Sequence, residues 1–310
     1  MTATPVGPGY VVAAVDGTEE GYAAVSFAAE EAARLGLELR LAHVMPAYLP
    51  VGPLLIGTDH GLGGYASETL ASAARVAAEV GPQVEISTHV LVGSRVSEIV
   101  DLAEHAQFVV VGRRRSSALD RAWSGGTLDG IVSRASCPVY VVPDLDLVDD
   151  RRPRVVIGYK SAAHSAELFK AGFRAAEDLG GDIEVVHAWK LPGGYDDLIA
   201  RRVSEAASNR ELKAAIRDLL APWQEAFINV PVRIRVVHEY PARALLEASR
   251  GADRLVLVKP LHGRLLHHLG RTARAVLRFS QCPVEVVPAH PHDEPTRAPV
   301  VVEREGELVP

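Results

Sequence analysis

Short runs of branched apolar residues alternate along this chain with longer stretches in which alanine and leucine recur every three or four positions. YVVAAV (Tyr10 to Val15), LELRLAHV (Leu37 to Val44), Val84 to Val92, VVV at 109–111 and VYVV at 139–142 predict five strands. The periodic stretches at about 20–35, 66–80, 96–105 and 127–135 predict helices between them. The first carries Ala24, Phe27, Ala28, Glu31 and Leu35 on one face and closes at Gly36, a residue suited to a left-handed cap. Strands that are apolar throughout, rather than alternating, suit a sheet buried on both faces. Strands separated by helices predict parallel pairing. Met45 to Gly64, rich in glycine and proline, is longer than a connection requires.

The whole pattern then repeats. Arg154 to Tyr159 matches the first strand; Gly180 follows Gly36, and His187 follows His43, by 144 positions, and Cys282-Pro283-Val284 follows Cys137-Pro138-Val139 by 145. A shift that constant over a whole domain indicates a duplication. The expected units are residues 1–146 and 147–290, joined through the charged stretch Asp144 to Pro153, with a poorly ordered tail at 291–310 in which Val300 to Val302 could add an edge strand. Each half is expected to be a doubly wound α/β domain with a five-stranded parallel sheet. As free sheet edges, Val139–Val142 and Val284–Val287 would expose unpaired N–H and C=O groups. Pairing them with each other removes both edges and makes the tandem chain a pseudo-dimer. A homodimer of tandem chains stays open.

Composition narrows the function. With 310 residues, a net charge of −6 and a pI near 6.1, nothing predicts nucleic-acid binding, and the Arg113–Arg115 run is local. Two cysteines point to a reducing compartment and to apolar packing rather than redox chemistry. No apolar run approaches the roughly 20 residues of a membrane span, and MTATPVGPGY lacks a signal pattern, so the chain is expected to be cytoplasmic. His262, His267 and His268 lack a cysteine or acidic companion at metal-ligand spacing, and His43 and His187 read as buried scaffold imidazoles. No nucleophile, P-loop or zinc-protease motif is present and no general base is positioned, so no enzyme activity is expected.

The stretch with a chemical signature is Val109 to Pro143. It reads as a strand ended by Gly112, an arginine loop, the pair Gly125-Gly126, a helix from Thr127 and a last strand. Glycines between a buried strand and a helix start can lay backbone N–H groups against phosphate; the plainer reading is that they only make turns.

VVAAVDGT at 11–18, LRLAHV at 39–44, VVVG at 109–112 and SCPVYVVP at 136–143 resemble the universal stress protein family in its tandem form, as do PARALLEASRGADRLVLV at 241–258 and QCPVEVVP at 281–288. Nucleotide-binding members carry a loop of the form G-x2-G-x9-G-[ST]. The resemblance implies that Asp16 holds the ribose or metal-linked phosphate region and that Val44 offers backbone contacts to adenine. It implies also that Gly112 and Gly125 cradle phosphates and that Gly126-Thr127 bind the terminal ones. The ligand implied is ATP, in the first half only, with accompanying magnesium unsettled. Single-domain relatives dimerise through their last strands, which implies the same pseudo-dimer.

The first half departs from the family loop in two places. Arg115 stands at the second glycine, where its guanidinium could either supply charge or block the backbone, and Gly126 stands at the hydroxyl position with Thr127 one residue late. Counting back from Cys137 pairs Gly125 with the last family glycine; matching the hydroxyl pairs Gly126 with it instead, and both alignments stay open. The second half places Lys160 opposite Asp16, Val258 opposite Gly112 and Leu261 opposite Arg115, and Pro260 removes an N–H. It is expected to be a structural partner without nucleotide. Two functions follow: a stress-response protein that senses adenine nucleotide through its first half, or a nucleotide-free interaction module with both sites degenerate.

Overall fold

The computed structural model describes residues 9–47, 62–113, 121–144, 151–190, 205–259 and 269–289. The first half contains β1 (Tyr10–Ala14), α1 (Glu19–Leu35), β2 (Glu38–Met45), α2 (Leu62–Val80), β3 (Ile86–Val92), α3 (Arg95–Leu102), β4 (Phe108–Arg113), α4 (Arg121–Arg134) and β5 (Val139–Pro143). The second contains β6 (Arg154–Gly158), α5 (Ser165–Leu179), β7 (Asp182–Trp189), α6 (Glu205–Ala226), β8 (Val232–His238), α7 (Pro241–Ala248), β9 (Arg254–Lys259), α8 (Arg271–Phe279) and β10 (Val284–Pro288).

All ten strands join one sheet in the order β3-β2-β1-β4-β5-β10-β9-β6-β7-β8. Within each half the pairing is parallel, and only the central β5–β10 pair is antiparallel, with Val139 opposite Val286, Tyr140 opposite Glu285 and Val141 opposite Val284. The expected mutual pairing of the last strands is therefore present. In each half the strand order reverses beside the first strand, between β1 and β4 and between β6 and β9.

The element ends have local causes. Thr18 accepts the N–H of Gly21 at 3.1 Å and caps α1, while Gly36 (φ 65°) and Gly180 (φ 64°) close α1 and α5 in the left-handed region that glycine adopts without strain. The two faces of the sheet are packed differently. On the face of α3, α4, α7 and α8 one apolar core runs without a break from Val109, Ile131 and Val139 into Leu255, Val276 and Val284. On the face of α1 and α5 there are two separate cores, one around Ala24, Leu39 and Val110 and one around Phe169, Phe173 and Val256. Burying a valine or leucine side chain contributes about 1.5–3 kcal/mol, so the shared core is a large part of what holds the halves together.

Several boundaries differ from the sequence reading. α2 begins at Leu62 and α3 ends at Leu102. Most consequentially, α4 begins at Arg121, six residues before Thr127, so Gly125 and Gly126 lie inside a helix and not ahead of one. Packing overrides the poor helix propensity of glycine here: Ile131 and Val132 are anchored in the shared core, and Gly130 lets α4 approach Val96 of α3, which a Cβ would meet at 2.7 Å. The long loop 48–61, the arginines at 114–115, the histidines at 262, 267 and 268 and the tail at 290–310 lie outside the described residues.

Candidate functional site at the first switch point

The carboxyl ends of β1 and β4 are neighbours, and helices leave the sheet there on opposite faces, the arrangement in which doubly wound sheets hold ligands. Val15 extends the ladder by donating its N–H to Ala42 at 2.8 Å, and the chain then turns through Asp16 and Gly17 (φ 81°) into α1. Asp16 is exposed. Its Oδ1 accepts the N–H of Thr18 at 3.1 Å and the Thr18 hydroxyl at 2.6 Å. The carboxylate thus fixes the residue that caps α1 and still faces solvent at the strand end.

Tyr65 and Thr69 of α2 complete the rim. A Cβ on Gly17 would lie 2.9 Å from the Tyr65 hydroxyl and 3.4 Å from Thr69. The Tyr65 ring meets the edge of His43 at 6.0 Å between centroids. His43 is buried, and its Nδ1 lies 2.8 Å from the Val15 carbonyl; because a carbonyl only accepts, Nδ1 carries the proton. His187 repeats this contact with the Tyr159 carbonyl at 3.1 Å but is half-buried, so of the two imidazoles expected to be buried only His43 is. Nothing in the sequence pattern singled out Tyr65 or Thr69, because α2 follows a loop whose length carries no register.

Val44 lies near the end of β2, in register with Leu91 of β3, and is buried. Gly112 lies within β4, opposite Val142, not after the strand. A Cβ there would sit 2.5 Å from the carbonyl oxygen of Glu20 and 3.1 Å from the N–H nitrogen of Gly21. The missing side chain admits the first turn of α1. Arg113 points across the molecule, its Nη1 3.5 Å from the Leu277 carbonyl near the end of α8. Arg115 lies outside the described residues. Gly125, Gly126 and Thr127 are the fifth to seventh residues of α4. The N–H groups left free at a helix start are those of its first four residues, here 121–124, so the anion-facing end of α4 is one turn earlier than the glycine pair. Asp129, which a phosphate would repel, is engaged with Arg274 of the second half at 3.7 Å; burial raises its pKa and the arginines Arg274 and Arg278 oppose that rise.

The equivalent place in the second half is built otherwise. Tyr159 stacks on Phe169 at 5.9 Å and packs on His187 at 5.6 Å. Lys160 replaces the carboxylate and Val258 replaces Gly112. The β6–α5 connection spans residues 159–164, two longer than the 15–18 connection of the first half, and enters α5 through His164 at φ 60°. Among the described residues no cluster of histidine, cysteine and acidic side chains is disposed to hold a metal ion.

A family model described as the universal stress protein family matches residues 10–143 and again residues 152–288. The chain belongs to the universal stress protein family. A universal stress protein of Mycobacterium tuberculosis is 29% identical over 296 residues, covering 89% of this chain and 96% of its own. One from Mycolicibacterium smegmatis is 29% identical over 289 residues, with the same coverage. The crystal structure of a universal stress protein from Archaeoglobus fulgidus matches with a TM-score of 0.66 at 19% identity, over 91% of this chain and 96% of that one, which shows the shared tandem fold. Both halves are thus universal stress domains, and their switch points have diverged from each other. No helix among the described residues is long and apolar enough to cross a membrane.

Proposed function

We propose that this universal stress protein binds one adenine nucleotide, in its first half, as a regulatory ligand in the cytoplasm, without turning it over. The observation that carries this reading is the contrast between the two switch points. The first presents an exposed carboxylate, Asp16, at the end of β1, beside β4, the strand that leads into α4. The second presents a lysine, a valine and a stacked tyrosine. A carboxylate at a strand end suits the hydroxyls of a ribose, and free N–H groups at a helix start suit phosphate.

The fit differs in detail from the family loop. The open side of Gly112 is taken by the chain's own Glu20 carbonyl, so phosphate is better served by the first turn of α4 than by Gly112. Val44 would contribute backbone to the base. Gly125, Gly126 and Thr127 would act by their small size one turn further along α4, and Arg115 would supply charge. Magnesium, if it accompanies ATP, has Asp16 as its nearest carboxylate among these residues.

A second reading has its own support. The helical start at Arg121 consumes the N–H groups of Gly125 to Thr127 within α4, which favours a nucleotide-free module that binds proteins through its surfaces. Release of bound nucleotide from denatured protein, followed by titration with ATP, separates the two. The first reading expects ATP, ADP or AMP to be recovered, and binding to fall at least about tenfold in Asp16→Ala, the loss of a charge-assisted hydrogen bond. Thr18→Ala, which removes the helix cap but keeps the carboxylate, is expected to bind normally. An unmodified chain that neither carries nor binds nucleotide leaves the interaction module.

A further inference from the structure

The face of the sheet carrying α1 and α5 is interrupted at its centre by charge. Arg254 of β9 is 3% exposed and reaches into the first half, where its Nη2 donates to Glu31 Oε1 of α1 at 2.7 Å and its Nη1 donates to the Tyr140 hydroxyl at 3.3 Å. Glu285 of β10, also buried, lies 3.8 Å from the same guanidinium. Arg34 holds Glu31 at 2.6 Å and Asp178 of α5 at 2.6 Å.

The internal repeat gives this cluster a meaning. α1 and α5 end at Gly36 and Gly180, so Asp178 is the counterpart of Arg34, and Ala175 that of Glu31. β5 and β10 begin at Val139 and Val284, so Glu285 is the counterpart of Tyr140; β4 and β9 begin at Phe108 and Arg254, which are counterparts likewise. A contact between counterparts lies on the pseudo-twofold axis, because the rotation exchanges its two members. Two such contacts are present, Arg34 with Asp178 and Tyr140 with Glu285. Both join unlike residues.

We infer that these residues form a pairing key that directs each half to the other and against a copy of itself. Two first halves joined through β5 would set Arg34 against Arg34 and turn each buried Glu31 toward Phe108, leaving it Arg34 of its own half in place of the buried Arg254. Two second halves joined through β10 would set Glu285 against Glu285 and Asp178 against Asp178, and would turn each buried Arg254 toward Ala175. A buried Glu285 pair across the axis and the loss of the buried Glu31–Arg254 pair are penalties that the mixed pairing avoids, whereas the shared core on the opposite face is apolar and carries no charge to tell the halves apart. The partner this surface fits is therefore the other half, and the key keeps the apolar pairing edge from recruiting the matching half of a second chain.

The test symmetrises the buried part of the key in the full chain, leaving Arg34 and Asp178 at its half-exposed rim, by giving three members their counterparts' identities: Glu31→Ala, Arg254→Phe and Glu285→Tyr. Leu35→Cys, exposed at the end of α1 next to Arg34, reports pairing of two first halves through a short thiol cross-linker after unfolding and refolding at high concentration. Cross-linked dimers are expected to rise at least severalfold in the symmetrised background over Leu35→Cys alone. Should the triple variant not refold, Glu31→Ala with Arg254→Met, which removes the Glu31–Arg254 pair together with the Arg254 contacts to Glu285 and Tyr140, is compared in the same way. Equal yields in the two backgrounds, including none in either, would overturn the key.

Discussion

At Gly112 even a methyl group would collide with backbone that cannot step aside, the Glu20 carbonyl at 2.5 Å. Gly112→Ala is therefore expected to cost about 1–3 kcal/mol, the range for forced overpacking, read as a lowered urea midpoint; an unchanged midpoint would mean that α1 does not bear on β4 as described. At the matching place the second half carries Val258, packed against the Phe169 and Phe173 core, and its connection into α5 is two residues longer. The sequence made Gly112 visible but not its use: a glycine after VVV reads equally as phosphate contact and as close packing, and only the position of α1 separates them. Asp16 was legible for a firmer reason. It stands in VVAAVDGT, one of the stretches that carry the family resemblance, and in the fold it holds Thr18, the residue that caps α1.

Between elements, the ends of α4 and β9 meet across the halves. Lys259 at the end of β9 donates from Nζ to the carbonyls of Ser133 at 3.1 Å and Ala135 at 2.8 Å, placing a cation on the last turn of α4. Arg113, the matching residue of β4, makes the corresponding contact with Leu277 near the end of α8. A cation at a helix carboxyl end favours the dipole and satisfies carbonyls, so Lys259→Met is expected to lower stability by about 0.5–2 kcal/mol and Lys259→Arg by less, measured by chemical denaturation. A Lys259→Met chain as stable as the unmodified one would show that the contact contributes nothing. The strands and helices themselves were readable because their periodicities are clean. The start of α4 was not, since three glycines in ten residues argue against the helix that tertiary packing imposes.

At the scale of the molecule, one sheet spans both halves, and the pairing of β5 with β10 followed from the cost of leaving two valine-rich edges open. The charged key on the α1 and α5 face was not legible, because Glu31, Arg254 and Glu285 are far apart in sequence and nothing in their local patterns pairs them until the halves are superposed. Burial of the seam also sets a pH response. Cys282 is enclosed there, and burial pushes its thiol from 9.0 up to about 11, with nearby Asp253 adding to the rise and Ser280, Arg113 and Arg154 opposing it. The folded chain keeps a proton that the unfolded chain releases, so this contribution is intact below pH 9 and is lost as the pH climbs through 11. It amounts to about 2–3 kcal/mol, and Cys137, raised to about 11 by its own burial, adds in the same direction. Stability is expected to fall steeply over that window and less steeply in Cys282→Ala; parallel profiles would contradict this.

The proposal drawn from the two unlike switch points is quantitative: one half binds an adenine nucleotide and the other does not. Calorimetric titration of the nucleotide-stripped full chain with ATP counts sites directly. One site per chain, abolished or much weakened by Asp16→Ala and unaffected by Lys160→Ala, is the predicted result. No binding, or two sites per chain, would contradict the account.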